Sequence, residues 1–553
     1  MEKCVKRISL RQTYYMQKTF LLIILSVLNI SAALSQAPPY HATIYDSTKT
    51  AGYYFLVPSK TQGMGGIHAQ LILDHFGDLV YYRPLGPVAA TPGFKVQPNG
   101  MITYLLNSKF YILDSTFTVK DSVVTKNGIY IDSHEFQILP NGNYLLLGFE
   151  NVFMNLSAYP WFKPTGTYGN PAASVKCCVI QEQDSNKNVV FEWHSKDYFS
   201  FADGDSLWYA NPNVVDWVHS NALELDNDGN ILLSSRHFNE ITKINRTDSS
   251  IMWRFGGRQN QFTFLNDTVP FYGQHDIRRI ANGNVTLYDN GFRTLSSPFH
   301  GARAVEYQLD EVNKTASLAW EYVYDSSMYS KATGSTQRLP NGNTLVNYGI
   351  IASNNVTFVV VDSLKNKVFE LAFEDTMYSY RSFNFQQLPW MFHRPQVTCF
   401  DSAGIYYLDA GPGYASYEWN NGSTNRIIPV TNADTFKVWV PYGSSGFISS
   451  ERLIVTNTFD PCGMSTGIPL VENNGIEIYP NPAGDELHIN CEPLKGVQSQ
   501  FSIYNIIGEK ILSGDLATDK NVFVVDIRSL PAGAYVLCIT SPGKNYTVKM
   551  MKD

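Results

Sequence analysis

The sequence predicts an all-β protein, and three observations predict it. Aromatic residues reach 14%, mostly Tyr and Phe; Gly and Asn recur at turn-like positions; and one strand-turn-strand pattern repeats along the chain. The turns stand in "VQPNGMITYLL", "ILPNGNYLLLG", "LDNDGNILLSS", "IANGNVTLYDN" and "RLPNGNTLVNY", with glycines at Gly100, Gly142, Gly229, Gly283 and Gly342. Each reads as a hairpin whose glycine permits positive φ. A second strand pair follows in "NVVFEWHSK", "SSIMWRFGG", "ASLAWEYVY" and "KVFELAFED". A repeat of about 40 to 60 residues with four strands is the build of a propeller blade.

The ends of the repeat array complete one another. "AQLILDHFGDLVYYRPL" supplies a hairpin without an inner strand, and "SYRSFNFQQLP" supplies a strand without a following hairpin. Joined in one sheet, they close a ring and remove its exposed edges. The expectation is a six-bladed β-propeller over residues 37–395, with five or seven blades as alternatives. The long interval between Gly142 and Gly229 is where loops over a rigid ring are expected.

Composition narrows the function. A net charge of -7 with 16% charged residues offers no basic face for nucleic acid. Residues 1–36 join Lys3, Lys6, Arg7, Arg11 and Lys18 to the apolar run "FLLIILSVLNISAAL" and the small residues of "SAALSQA", which reads as a cleaved export signal. A start at Met16 would give a signal of more usual length. No later run is apolar enough to span a bilayer, so the mature chain is expected to carry no transmembrane segment. The 7 cysteines include the adjacent Cys177 and Cys178, and Cys399 and Cys462 flank a later segment that they could bridge. Residues 396–467 alternate polar and apolar residues between turns, as an immunoglobulin-like β-sandwich does.

Residues 468–553 carry "IEIYPNPAGDELHIN", "FSIYNIIGEKIL", "VVDIRSLPAGAYVLCIT" and "KNYTVKMMKD". This segment resembles the C-terminal sorting domain of the Bacteroidetes type IX secretion system, itself a small β-sandwich. The resemblance implies the type IX secretion machinery as a partner, and a secreted or outer-membrane cell-surface location.

Histidines mark the chemistry. His134 and His275 each lie eight residues before their turn glycine, and His219 lies ten before Gly229 in a repeat with a longer turn. Inner strands line a propeller's channel, so residues entering it at one height converge on the axis. Arg236, on the far side of the turn in the repeat of His219, can return to the same mouth, while Trp217 and Tyr272 could form a wall for an aromatic ring. Arg278 and Arg279 alternate, so at most one faces the channel. His194, His237 and His300 read as structural.

"IDSHEFQILPNGNYLLLG", "DWVHSNALELDNDGNILLSSRH", "IMWRFGG" and "GQHDIRRIANGNVTLYDNG" resemble, in order, the signatures of the bacterial arylsulfate sulfotransferases, which are six-bladed propellers. The resemblance implies that His275, in the "QHD" motif, is the nucleophile that becomes transiently sulfated. It implies that His134, His219 and Arg236 position substrate and stabilise charge. The implied reaction is ping-pong transfer of a sulfuryl group from an aryl sulfate to a phenol, with no metal and no nucleotide cofactor. Two other readings stay open at this point: a zinc hydrolase built on three converging histidines, and a surface binding or adhesion propeller.

Overall fold

The repeated turns set the frame. A computed structural model describes residues 37–553 apart from 61–67, 87–92, 165, 292–300, 352–355, 375–376, 456–475, 491–493, 495–496, 506–509, 517–521 and 542–543. The export signal over 1–36, His300 and Cys462 lie outside the described residues. At all five turns the glycine takes a φ between 80° and 87°. Its N–H bonds back to the carbonyl three residues earlier, and the preceding Asn or Asp side chain accepts the N–H of the residue that follows. Only a residue without a Cβ takes this φ at no steric cost, which fixes where each hairpin turns.

Each turn joins an inner strand to the second strand of an antiparallel sheet. The five inner strands are Lys95–Val96, Tyr130–Ile138, Ser220–Leu225, His275–Arg279 and Ser335–Arg338. A sixth, Met377–Phe385, pairs with Tyr53–Lys60, so the two ends of the array share one sheet as expected. Among the described residues, apolar clusters join each of these six sheets to the next and the last to the first. The sheets thus close into a ring, with the apolar face of each strand set buried between neighbours.

Two outer edges are covered. Tyr40–Ile44 pairs with the outermost strand of the last sheet, Lys367–Phe373. Gly446–Ser449 pairs with Leu79–Gly86 through Phe447 and Tyr82, and Val438–Tyr442 and Glu418–Trp419 continue that sheet. The interval 396–467, expected as a separate immunoglobulin-like sandwich, is divided: residues 409–428 and 438–450 belong with the ring, and 399–408, 429–437 and 451–553 form the second unit. Covering an edge strand satisfies backbone groups that would otherwise recruit another chain. Cys177 and Cys178 are buried free thiols, so the adjacent pair is unbridged, whereas Cys399 is disulfide-bonded.

In the second unit, Glu477–Tyr479, Glu486–Asn490 and Val522–Asp526 form one sheet. Lys510–Leu516, Ser499–Asn505, Gly533–Ser541 and Lys544–Lys552 form another. Leu487, Ile489, Phe501, Ile503, Leu537 and Ile539 share their core.

Four inner strands break register at the same level of the ring. The irregularities fall at Asp132–Glu135, at Asn221, at Asp276 and Ile277, and at Tyr380 and Arg381. A bulge re-aims side chains that strict alternation would send to opposite faces. Asp276 shows the cost locally, with a φ of 61° at a non-glycine residue.

The re-aimed side chains build a charged cluster on the axis. Glu135 accepts from Lys95 at 2.7 Å, Arg278 at 2.6 Å and Arg381 at 3.1 Å. Asp276 accepts from Arg278 at 2.7 Å and from the Thr336 N–H at 3.2 Å. Arg381 also donates to the Asn221 carbonyl at 2.6 Å. Every inner strand contributes at least one group. Arg278 therefore faces the axis, while Arg279 turns between sheets to Asp226 and Glu311. Burial alone would raise the Glu135 pKa, but Arg278, Lys95 and Arg381 hold it well below the usual carboxylate range.

Glu135→Gln leaves three cations facing one another in a buried site. The change is expected to destabilise the ring by about 3–5 kcal/mol, measured as the shift in urea unfolding followed by tryptophan fluorescence. A loss below about 1 kcal/mol, the value of an exposed pair, contradicts the role given to this cluster.

Candidate active site

Next to the charged cluster, the same inner strands deliver the histidines. His275 opens its strand and is 1% exposed. The residue before it is pinned on both sides: the Gln274 carbonyl accepts from Asn221 at 2.7 Å, and the Gln274 amide reaches the Glu240 carbonyl at 3.0 Å. The imidazole Nδ1 lies 2.8 Å from Asn290 Oδ1. Asn290 uses its amide N–H groups on Ser330 Oγ and the Thr333 carbonyl, so its oxygen can only accept. That assigns the proton to His275 Nδ1 and the lone pair to Nε2. The Thr333 N–H donates to this Nε2 at 3.1 Å. Burial first, and Arg236 second, hold the His275 pKa well below its ordinary value. The ring is a neutral imidazole whose Nε2 lone pair accepts from the Thr333 N–H.

His134 and His219 are each steered by a carboxylate. His134 Nδ1 bonds Asp132, whose other oxygen accepts from Lys176 at 3.1 Å. His219 Nδ1 lies 2.5 Å from Asp216 Oδ2. Fixing Nδ1 in this way leaves Nε2 as the outward atom in both rings. The two ring centroids are 5.4 Å apart, edge to face. Burial lowers the His219 pKa, partly offset by Asp216.

Arg236 begins a short 3-10 turn, Arg236–Phe238, hung on the adjoining loop through its own N–H to the His219 carbonyl at 3.1 Å. Asn239 ends the turn in the left-handed region. The guanidinium donates to the Lys331 carbonyl at 2.6 Å and lies 3.1 Å from His237 Nε2. Burial lowers its pKa to about 10, so it remains a cation at neutral pH. Its Nε is buried without a partner among the described residues.

The structure therefore brings His275, His134, His219 and Arg236 together. It separates the two expected aromatic residues. Trp217 lies in the apolar core, 1% exposed, its ring 6.0 Å from Phe201 and 5.7 Å from Phe238. Tyr272 sits beside the site, stacked 5.6 Å from Trp208, with its hydroxyl on Asp205 at 2.7 Å. His237 has Nδ1 on the Asp216 carbonyl at 2.7 Å and its ring stacked 4.5 Å from His219. His194 is held between Glu150 and Glu192.

Sequence reasoning missed Tyr380, Thr333, Trp208 and the two carboxylates. The Tyr380 ring lies 5.5 Å from His134 and 6.3 Å from His275, and its buried hydroxyl has no partner among the described residues. Burial raises its pKa, which keeps the hydroxyl a donor. Asp132 and Asp216 stand two and three residues before their histidines, a spacing visible in the sequence. Asp216, His219 and His237 also bring ligand atoms within 4.8 Å of one another, a grouping that could hold a metal ion. It differs from the set His134, His219 and His275 expected for a zinc site.

Residues 45–381 match the family model described as Arylsulfotransferase (ASST), and residues 477–553 match the Secretion system C-terminal sorting domain. No curated protein matches the chain. Among solved structures, a protein of unknown function from Bacteroides caccae covers 60% of this chain and 99% of its own at 11% identity, with a TM-score of 0.37. A catalytically inactive virginiamycin B lyase from Staphylococcus aureus covers 67% and 96% at 9% identity, with a TM-score of 0.31. A gluconolactonase from Xanthomonas campestris covers 62% and 93% at 11% identity, with a TM-score of 0.30. No helix among the described residues is long and apolar enough to cross a membrane. The sorting domain marks the protein for secretion and for the cell surface or outer membrane. With more than half of its length matched, the chain belongs to the arylsulfotransferase family.

Proposed function

We propose that the protein transfers a sulfuryl group from an aryl sulfate to a phenol through a sulfo-histidine at His275. One observation carries the reading. Beside a buried neutral imidazole stand two buried donors with no partner among the described residues, Arg236 Nε and Tyr380 Oη, and two histidines, His134 and His219, whose Nδ1 atoms are held by carboxylates. Unpaired buried donors are costly, and an anion with several acceptor oxygens pairs Arg236 Nε and Tyr380 Oη together, while each carboxylate-held histidine keeps Nε2 as a proton acceptor.

In the first half-reaction, His275 Nε2 gives its lone pair to sulfur, the bond from sulfur to the aryl oxygen breaks, and the phenolate leaves with the bonding electrons. Arg236 meets the sulfuryl oxygens as their charge redistributes, and the Thr333 N–H released from Nε2 stands next to the transferred group. In the second, a carboxylate-steered histidine takes the proton of an acceptor phenol, its oxygen attacks sulfur, and the N–S bond breaks to restore neutral His275. Both halves use one nitrogen, which makes the kinetics ping-pong.

The Asp216, His219 and His237 grouping supports a second reading, metal-dependent hydrolysis. Electrostatics oppose it. Both Nδ1 atoms are engaged by Asp216, and His237 Nε2 faces the Arg236 guanidinium at 3.1 Å, so a metal ion would sit against a buried cation.

With a nitrophenyl sulfate as donor, coloured phenolate release beyond a stoichiometric burst is expected to require a second phenol, to withstand chelator and to fall at least about 10³-fold in His275→Ala. Acceptor-independent release that a chelator stops overturns the reading in favour of the hydrolase. The pH dependence follows from the lowered His275 pKa: the neutral form persists as pH drops through the ordinary value of about 6.5. The donor half-reaction should hold its rate there, and a rate that halves near that value contradicts it. Arg236→Gln removes the neighbouring cation, so it should move this acid limb upward while slowing the half-reaction by about 10²–10³-fold.

A further inference from the structure

The interval between Gly142 and Gly229 returns an aromatic residue, Trp208, to the site. It contains the short turns Ser195–Tyr198, Phe201–Asp203 and Ser206–Trp208. Asp205 ties the last of these down: its N–H donates to the His237 carbonyl at 2.9 Å, and its carboxylate accepts from Tyr272 at 2.7 Å, Asn239 at 3.1 Å and the Leu207 N–H at 3.0 Å. The Trp208 ring is thereby held over the Arg236 guanidinium, 4.0 Å from centroid to the guanidinium carbon. It also lies nearly parallel to His237, at 5.2 Å and 11°, and stacks on Tyr272.

We propose that Trp208 is a positioning residue for Arg236: it covers a face of the guanidinium, keeps water off it, and so directs the unpartnered Nε–H at the anionic group of the substrate. The Lys331 carbonyl and His237 already hold the two terminal nitrogens. With an indole face against the plane as well, rotation of the guanidinium is blocked and its charge acts in a desolvated setting. The segment around residues 195–209 would then tune how tightly the site grips the sulfuryl group. This inference rests on the sulfuryl-transfer reading.

The test is a double-mutant cycle on the full chain with a nitrophenyl sulfate and an acceptor phenol. Trp208→Leu should lower kcat/KM by about 10- to 30-fold, and Trp208→Phe, which keeps an aromatic face, should lose less than about 3-fold. In an Arg236→Lys background, Trp208→Leu should cost almost nothing further, because the planar group it orders is gone. An equal loss in both backgrounds, or no loss in either, overturns the proposal, as does a loss in Trp208→Phe matching that in Trp208→Leu. If the unaltered protein releases no phenolate, it is the sulfuryl-transfer reading that fails. Calorimetric binding of an aryl sulfonate then decides the role of Trp208: weaker binding in Trp208→Leu with binding kept in Trp208→Phe supports it, and unchanged binding overturns it.

Discussion

Everything at the candidate site depends on the buried charge cluster along the axis. Glu135 and Asp276 are shared among Lys95, Arg278 and Arg381, and backbone groups of Asn221 and Thr336 complete the set. Burying such charges is tolerable only when each is paired, so no inner strand can slide without exposing an unpaired group. The cluster and the site are neighbours in sequence as well as in space. Glu135 follows His134, Asp276 follows His275, and Arg381 follows Tyr380. At each pair a break in strand register gives one side chain to the cluster and the other to the site.

The same arrangement solves an electrostatic conflict. A site for an anion needs positive charge, whereas a nucleophilic histidine must not be protonated. Burial and Arg236 together keep His275 neutral, and Arg236 is also the charge that meets the anion. His134 and His219 are handled differently, each tethered at Nδ1 by its own carboxylate. One cation thus serves two purposes without being neutralised by a carboxylate of its own.

Much of this was legible in the sequence because the ring is periodic. A glycine in the left-handed region fixes each hairpin, and counting back from it locates the stretch of the inner strand, or the residue just before it, where His134, His219 and His275 lie. The closing strand was legible as a strand, but Tyr380 was not legible as a site residue, since no turn follows it to set the register. Register breaks are invisible to a pattern of alternation, and they decide which of two adjacent side chains faces the site. The expectation for Trp217 failed for a related reason: it is adjacent to the motif and packs into the core, while Trp208 arrives from an insertion whose path only the three-dimensional structure gives. The divided interval 396–467 was obscured because strands that extend a ring sheet and strands of a separate sandwich have the same alternation.

The central claim is a covalent bond between sulfur and His275 Nε2. The most direct test is to mix the protein with an aryl sulfate in the absence of acceptor, quench it, digest it under mildly alkaline conditions, and read the peptide containing His275 by mass spectrometry. The account predicts the mass of one sulfuryl group on His275, lost again when a phenol is added before the quench. A stoichiometric burst of phenolate with His275 unmodified, or with the sulfuryl group on another residue, would contradict it.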